Sequence, residues 1–138
     1  MKIENNRLWN CKNPNQGSAK KVLCVCSAGL LRSPTMANVL HQKYGYNTRS
    51  CGLESYALIQ IDDILIAWAD EIVCAESWMV DDIKTDKPIF SLNIPDQYPY
   101  GDKKLIEFIE RGYDLIKSNE EIEKVFKENG KIPFLFHK

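Results

Sequence analysis

A short, unbroken apolar segment constrains the fold of this 138-residue chain more than any other feature. Val22–Cys26 has five apolar residues in succession, whereas a strand with one face in water would alternate apolar and polar side chains. Such a segment is typical of a strand that is covered on both faces, and these strands occur mainly in parallel sheets. Ser33 and Pro34 follow soon after, as an N-cap and a proline at the first helical position. The pattern therefore predicts a strand, a short loop and a helix in succession.

The rest of the chain alternates between strand-like and helix-like segments. Toward the end of the chain, a long helix is predicted, and the apolar residues Ile122, Val125 and Phe126 either extend it or form a second short helix. Alternation of this kind predicts an α/β fold, here a four-stranded parallel sheet flanked by helices on both faces in a three-layer sandwich. Ligands of such folds bind beyond the carboxyl ends of the strands, and Cys26 lies at one of these ends. The further predicted strands are Asn47–Gly52, Glu71–Ala75 and Pro88–Leu92, and the predicted helices are Ser33–Tyr44, Ile59–Trp68, Ser77–Lys84 and a long one that Asp102 caps.

Length and charge limit the classes of protein to which the chain can belong. Its length suits one domain, for which we expect residues 21–138, preceded by a polar, asparagine-rich arm over residues 1–20. The 18 basic and 19 acidic residues are mixed, so no basic surface indicates nucleic-acid binding. The first residues do not resemble a secretory signal, and no apolar run approaches the roughly 18 residues that a membrane helix requires. We therefore expect a soluble, cytoplasmic protein that binds neither nucleic acid nor membrane.

The five cysteines form no regular framework, and in the cytoplasm they are expected to be reduced. Cys24 and Cys26 would need a second pair of ligands to hold a metal ion, so we predict no metal site. Cys24, Cys51 and Cys74 are expected to be small buried residues of the core.

Cys26 differs from the other cysteines because a loop of small residues and an arginine follow it. A loop between a strand and a helix N-terminus can turn its amides inward and bind an anion, with phosphate as the natural ligand. The planar guanidinium of Arg32 matches two phosphate oxygens. The expected phosphate-binding residues are Ser27, Ala28, Gly29, Leu30, Leu31 and Arg32.

The same surroundings favour the thiolate of Cys26, which would then accept a phosphoryl group. Ser33 is placed to donate a hydrogen bond to the sulfur. A phosphocysteine route also needs an acid that protonates the leaving oxygen and later activates water. Asp96 and Asp102 are both candidates, and Asp96 is preferred because Asp102 suits the N-cap of the last helix.

These residues together resemble the low-molecular-weight protein tyrosine phosphatases. The signature of that family, Cys-x5-Arg-Ser/Thr between the first strand and the first helix, is matched by Cys26, Arg32 and Ser33. Its Ser-Ala-Gly turn is echoed by Ser50–Gly52, and its late Asp-Pro-Tyr loop by Asp96–Tyr98. The resemblance extends over roughly residues 21–118.

The resemblance implies a phosphomonoesterase without metal or other cofactor, acting on a phosphotyrosine protein or a small phosphomonoester. Cys26 would be the nucleophile, Arg32 would bind the phosphoryl group, Ser33 would support the thiolate and Asp96 would act as acid and then as base. Tyr56 and Tyr98 would line the substrate slot, with Tyr100 as a further candidate. The oligomeric state stays open.

Three positions depart from the family pattern. Gly29 stands where an asparagine usually supports the loop, Leu31 where many members have a second cysteine, and Gln97 where a proline follows the acid. Two other functions stay open. A phosphate-binding module without turnover would need no acid, and an arsenate reductase would need Cys51 or Cys74 to resolve its intermediate.

Overall fold

The computed structural model describes residues 19–29 and 31–129. The four predicted strands and their alternation with helices are confirmed. Leu30 and residues 1–18, which make up most of the predicted arm, lie outside the described residues. The strands are β1 (Lys21–Cys26), β2 (Asn47–Gly52), β3 (Glu71–Cys74) and β4 (Ile89–Ser91), and the helices are α1 (Arg32–Tyr44), α2 (Asp63–Trp68), α3 (Ser77–Asp82) and α4 (Lys103–Asn129).

The four strands form one parallel sheet in the order β2-β1-β3-β4. The chain moves from β1 to β2 in one direction and then returns past β1 to β3. Because parallel crossovers are right-handed, this reversal places α1 on one face of the sheet and α2 and α3 on the other. Helix α4 packs against α1. The strand order therefore reverses between β1 and β3, where the loops at their carboxyl ends diverge and leave a crevice.

The core lies on both faces of β1, as the apolar run predicts. The side chains of Val22–Val25 are fully buried between β2 and β3. Helix α1 covers one face with Met36 and Leu40, and α4 adds Leu105 and Ile109. This packing fixes the carboxyl end of β1 firmly, and Cys26 is its last residue.

Two helices begin at other residues than the sequence pattern predicts. Helix α1 begins at Arg32, and Ser33 lies inside it with a buried side chain, so the N-cap assigned to Ser33 was wrong. Helix α2 begins only at Asp63, since the segment before it pairs with the end of β2 through Gly52 and Gln60. Asp62 caps α2 by accepting a hydrogen bond from the amide of Leu65 at 3.0 Å. In both cases a contact with β2 outweighs a local preference, since the Ser33 hydroxyl donates to the carbonyl oxygen of Cys51 in β2 and Gln60 pairs with Gly52.

Candidate active site

The loop between β1 and α1 turns its carbonyl groups away from the crevice. The carbonyl oxygens of Cys26, Ser27 and Ala28 accept hydrogen bonds from amides of the loop after β2, at 3.0, 3.0 and 3.3 Å. The described part of the chain has no cis peptide bond, and in a trans peptide the next N–H points opposite to the carbonyl. The amides of residues 27–29 therefore point away from the loop after β2, and that of Gly29 donates to the Cys26 sulfur at 3.2 Å.

Two glycines allow this loop to approach β2 closely. Gly29 has φ +73°, and a Cβ there would meet the backbone of Cys51 and Gly52 at 3.1 Å. A Cβ on Gly52 would lie 2.6 Å from the carbonyl oxygen of Ser27. A side chain at either position would displace the loop, and Gly29 holds the loop through its backbone alone.

Cys26 is 3% exposed and lies at the floor of the loop. Its thiol donates to the Ser33 hydroxyl oxygen, with 3.1 Å between Sγ and Oγ, and the Ser33 hydroxyl donates to the Cys51 carbonyl oxygen at 3.1 Å. If the thiol is ionised, the same hydroxyl can turn its hydrogen to the sulfur. The Gly29 amide and Ser33 thus provide two donors for a thiolate.

Arg32 is 1% exposed, and three polar groups already contact its guanidinium. Nη1 donates to Glu76 Oε2 at 2.6 Å and to the Ile94 carbonyl oxygen at 2.8 Å, while Nη2 donates to Ser27 Oγ at 3.3 Å. Nε has no hydrogen-bond partner among the described residues. The Asp96 carboxylate is close to Nε, with Oδ1 at 3.6 Å. One buried donor therefore stays available for a ligand.

Glu76 is the functional candidate that the sequence analysis missed. It follows the end of β3 by two residues, so it lies at the same sheet edge as Cys26. Its place directly after a predicted strand could have indicated Glu76 from the sequence. Its ion pair holds Nη1 of Arg32, while Nη2 contacts Ser27 of the loop and Nε lies beside Asp96.

The structure separates the two aspartates that the sequence left as alternatives. Asp102 Oδ2 accepts hydrogen bonds from the amides of Lys104 at 2.9 Å and Leu105 at 3.3 Å, so it caps α4. Asp96 is 56% exposed and lies beside Arg32. Its position depends on Ile94, whose side chain is buried and whose amide donates to the Ala75 carbonyl oxygen at 2.7 Å.

A cavity of ≈ 170 Å³ lies between the loop and Asp96. Tyr56 and Tyr98 are absent from its described walls. Tyr56 is 71% exposed, Tyr98 is partly buried against Phe108, and Tyr100 is exposed. The described residues that line the cavity are Cys26, Ser27, Ala28, Leu31, Arg32 and Asp96.

A second cavity of ≈ 230 Å³ lies beside Glu76, the partner of Arg32 in the ion pair. It is lined by Glu76, Ser77, Trp78, Asn93, Ile94 and Pro95.

The other three described cysteines are buried thiols. Burial, with smaller contributions from Cys26 and Cys74, raises the pKa of Cys51 well above its usual range. Burial also raises the pKa of Cys74 to about 12. Because the thiolate is the nucleophile, both are poor candidates for resolving an intermediate on Cys26.

Among residues 19–29 and 31–129, no group of three His, Cys, Asp or Glu side chains is arranged to hold a metal ion. None of the described helices is long and apolar enough to cross a membrane.

Comparisons with known proteins find similarity in structure but not in sequence. No family model matches the chain, and no curated protein matches it. Tyrosine phosphatase Wzb from Escherichia coli K30, determined in complex with phosphate, has a TM-score of 0.58 and 14% identity, over 73% of this chain and 98% of Wzb. The chain has the low-molecular-weight tyrosine phosphatase fold.

Two further structures have the same fold. YfkJ from Bacillus subtilis has a TM-score of 0.53 and 17% identity, over 79% of this chain and 99% of YfkJ. The thioredoxin-dependent arsenate reductase Cg_ArsC1' of Corynebacterium glutamicum has a TM-score of 0.52 and 19% identity, over 72% of this chain and 61% of the reductase. At these identities the phosphatase fold is shared, while the reaction has to be argued from the site.

Proposed function

We propose that the chain is a cysteine-dependent phosphomonoester hydrolase, with phosphotyrosine on a protein as the favoured substrate. The buried Nε of Arg32 is the observation that carries the proposal, because it has no hydrogen-bond partner among the described residues and its side chain lines the same cavity as Cys26. A buried donor without a partner costs free energy, and a phosphoryl oxygen in the cavity would remove that cost. The phosphate bound to Wzb gives further support.

In the first step, the Cys26 thiolate attacks phosphorus. A sulfur–phosphorus bond forms, the bond from phosphorus to the ester oxygen breaks, and the Asp96 carboxyl group gives its proton to that oxygen. Nε and Nη2 of Arg32 bind two of the other phosphoryl oxygens, and the loop amides bind the charge that develops on them. The Glu76 ion pair keeps the guanidinium in this orientation.

In the second step, water attacks the phosphocysteine. The Asp96 carboxylate takes a proton from the water, the sulfur–phosphorus bond breaks, and inorganic phosphate and the Cys26 thiolate are released. Ser33 donates a hydrogen bond to the departing sulfur, which lowers the barrier to its expulsion. One residue thus serves as acid and then as base, as a two-step transfer requires.

The test uses aryl phosphates whose leaving groups differ in acidity, in a buffer that contains a metal chelator. Wild-type protein is expected to hydrolyse them, and Cys26→Ser is expected to abolish turnover. Asp96→Asn should reduce kcat by about 10²- to 10⁴-fold, most for the poorest leaving groups, because these depend most on a proton donor.

Asp102→Asn is the matched control, since it changes the same residue type in the same loop but affects only the cap of α4. It is expected to leave the dependence on the leaving group unchanged. If the wild type binds phosphate but cleaves none of the esters, the chain is a phosphate-binding module. If Asp96→Asn has no larger effect on poor leaving groups, another residue is the acid.

Arsenate reduction, the activity named for the Corynebacterium glutamicum neighbour, has less support. It would require a second reactive thiol, and Cys51 and Cys74 are buried with a raised pKa. Oxidation of a thiol reductant that depends on arsenate would favour that function over phosphate ester hydrolysis.

A further inference from the structure

The second cavity lies within reach of a group attached to a phosphoryl in the first. Nη1 of Arg32 binds both Glu76 and the Ile94 carbonyl, and both of these residues line the second cavity. Pro95 lines the second cavity and Asp96 the first, and the Cα atoms of consecutive residues are only about 3.8 Å apart. The two cavities therefore adjoin along the Arg32–Glu76 ion pair and the Pro95–Asp96 backbone.

The charges around the two cavities do not balance once a substrate binds. Among the described residues that line them, Arg32 is the only cation, while Glu76 and Asp96 carry carboxyl groups. A phosphoryl group and the Cys26 thiolate add further negative charge. A positive charge on the substrate would restore the balance, and such attraction is strong where the groups are partly shielded from water.

The walls of the second cavity suit a cation. Glu76 supplies a carboxylate, Ser77 and Asn93 supply oxygens that accept hydrogen bonds, and Trp78 supplies an indole ring that is 42% exposed. An ammonium group has donors and no acceptor, and the face of an indole attracts cations.

We propose that the second cavity is a leaving-group subsite that selects phosphomonoesters with an ammonium group beyond the ester oxygen. The proposal rests on the proposed function for the position of the phosphoryl group. It adds a specificity-determining surface, with Trp78 and Glu76 as the groups that contact the cation.

The experiment compares two esters that differ in one group. O-Phosphotyramine ends in an ammonium group, and the phosphate ester of 4-(2-hydroxyethyl)phenol has a hydroxyl in its place, so the acidities of the leaving phenols are similar. Wild-type kcat/KM is expected to favour O-phosphotyramine about tenfold at low salt, in line with a cation–π contact to a partly exposed indole and an adjacent carboxylate. The preference should shrink in 1 M salt, where the screening length is about 3 Å.

Variants locate the subsite. Trp78→Ala is expected to reduce the preference to less than about twofold, and Trp78→Phe to keep part of it, because phenylalanine retains a weaker aromatic face. Asp81→Asn removes an exposed carboxylate from the same helix as Trp78, outside the described walls of both cavities, and should keep the full preference. A preference that survives Trp78→Ala would place the selectivity elsewhere and overturn the proposal.

Failure of the subsite and failure of the hydrolase proposal give different results. Equal kcat/KM for the two esters overturns the subsite and leaves the hydrolase in place. If neither ester is cleaved, the hydrolase proposal fails, and the subsite is decided by calorimetric titration of the Cys26→Ser variant. Tighter binding of O-phosphotyramine then supports the subsite, and equal binding overturns it.

Discussion

Among single residues, Arg32 is the most constrained group of the site. A fully buried guanidinium needs a counter-charge, and Glu76 supplies it at 2.6 Å, with the Ile94 carbonyl as a second acceptor. The same carboxylate is also close to the place where we expect a phosphoryl group, and like charges repel. Glu76 therefore orients the arginine at some cost in anion affinity, which makes it a positioning residue whose effects on binding and on turnover should differ in sign.

We expect Glu76→Ala to bind inorganic phosphate more tightly than wild type while kcat for an aryl phosphate falls about tenfold or more, since small misplacements of a binding group are costly in the transition state. Without ligand, the free energy of unfolding should fall by about 2 to 3 kcal/mol, because a buried charge loses its partner. Thermal unfolding with and without phosphate, together with steady-state kinetics, measures both effects.

Asp81→Asn serves as the control for Glu76→Ala, since it removes an exposed carboxylate from helix α3, which begins directly after Glu76. An equal gain in unfolding temperature from phosphate in Glu76→Ala and wild type would contradict the positioning role.

At the scale of elements, one buried carboxylate connects the long helix to the sheet. Glu71 of β3 is 1% exposed and accepts hydrogen bonds from Lys20 and Lys117 at 2.7 and 2.8 Å and from the Tyr113 hydroxyl at 2.6 Å. Lys117 and Tyr113 belong to α4. Burial alone would raise the pKa of Glu71, but the three hydrogen bonds outweigh it and hold the pKa below its usual range. The cluster lies at the amino end of β3, opposite the proposed active site.

A lowered folded-state pKa gives a definite pH dependence. The contribution of the Glu71 charge to stability is complete above the unfolded-state pKa of about 4.3 and is lost as the pH falls through the lower folded-state value. The free energy of unfolding should therefore be larger for wild type than for Glu71→Gln at pH 7, by about 3 kcal/mol, with a difference that shrinks below about pH 4.

Denaturant unfolding followed by circular dichroism at pH 7, 5, 4 and 3 measures the difference between wild type and Glu71→Gln. Glu107→Gln is the control, since Glu107 forms an exposed ion pair with Arg111 on α4. This variant should change the free energy of unfolding by less than about 0.5 kcal/mol. A difference for Glu71→Gln that stays constant down to pH 3 would show that its charge does not stabilise the fold.

At the scale of the whole molecule, the strand order decides where the site can form. Strands β1 and β3 lie in the middle of the sheet, and the strand order reverses between them. Cys26 ends β1 and Glu76 follows β3, so the nucleophile and the group that orients the arginine come from the two central strands. Asp96 follows the edge strand β4, whose side chains are only partly buried. The proposed site thus joins a rigid half to a more weakly held half.

Hydrogen exchange should reveal this asymmetry. Amides of β1 and of β3 are expected to exchange slowest, near the rate set by global unfolding, because these strands are buried and paired on both sides. Amides of β4 and of the six-residue helix α3 should exchange faster through local opening. Native-state exchange followed by NMR measures the order, and slow exchange in β4 equal to that in β1 would contradict it.

The sequence predicted the sheet and the loop because both are encoded locally. The apolar run of β1 and the spacing from Cys26 to Arg32 lie within a dozen residues, so the strand and the composition of the loop could be inferred directly. The role of Glu76 could not be inferred in this way, because it lies 44 residues from the arginine that it holds, and only the strand order brings them together. Ser33 was wrongly assigned as the N-cap because Ser-Pro is a good local helix start. Its hydroxyl instead contacts Cys26 and the distant Cys51 carbonyl.

The position of the Ser33 hydroxyl has a consequence for the energetics of a catalytic cycle. Its oxygen is 3.1 Å from both the Cys26 sulfur and the Cys51 carbonyl oxygen. When the sulfur gains negative charge the hydrogen can rotate toward it, and when phosphorus takes that charge the hydrogen can rotate back, without movement of a heavier atom. In the proposed reaction, the loop would therefore reorganise little while the thiol ionises, the phosphoryl group is transferred and phosphate is released. Fixed dipoles accelerate a reaction most when they need little reorganisation.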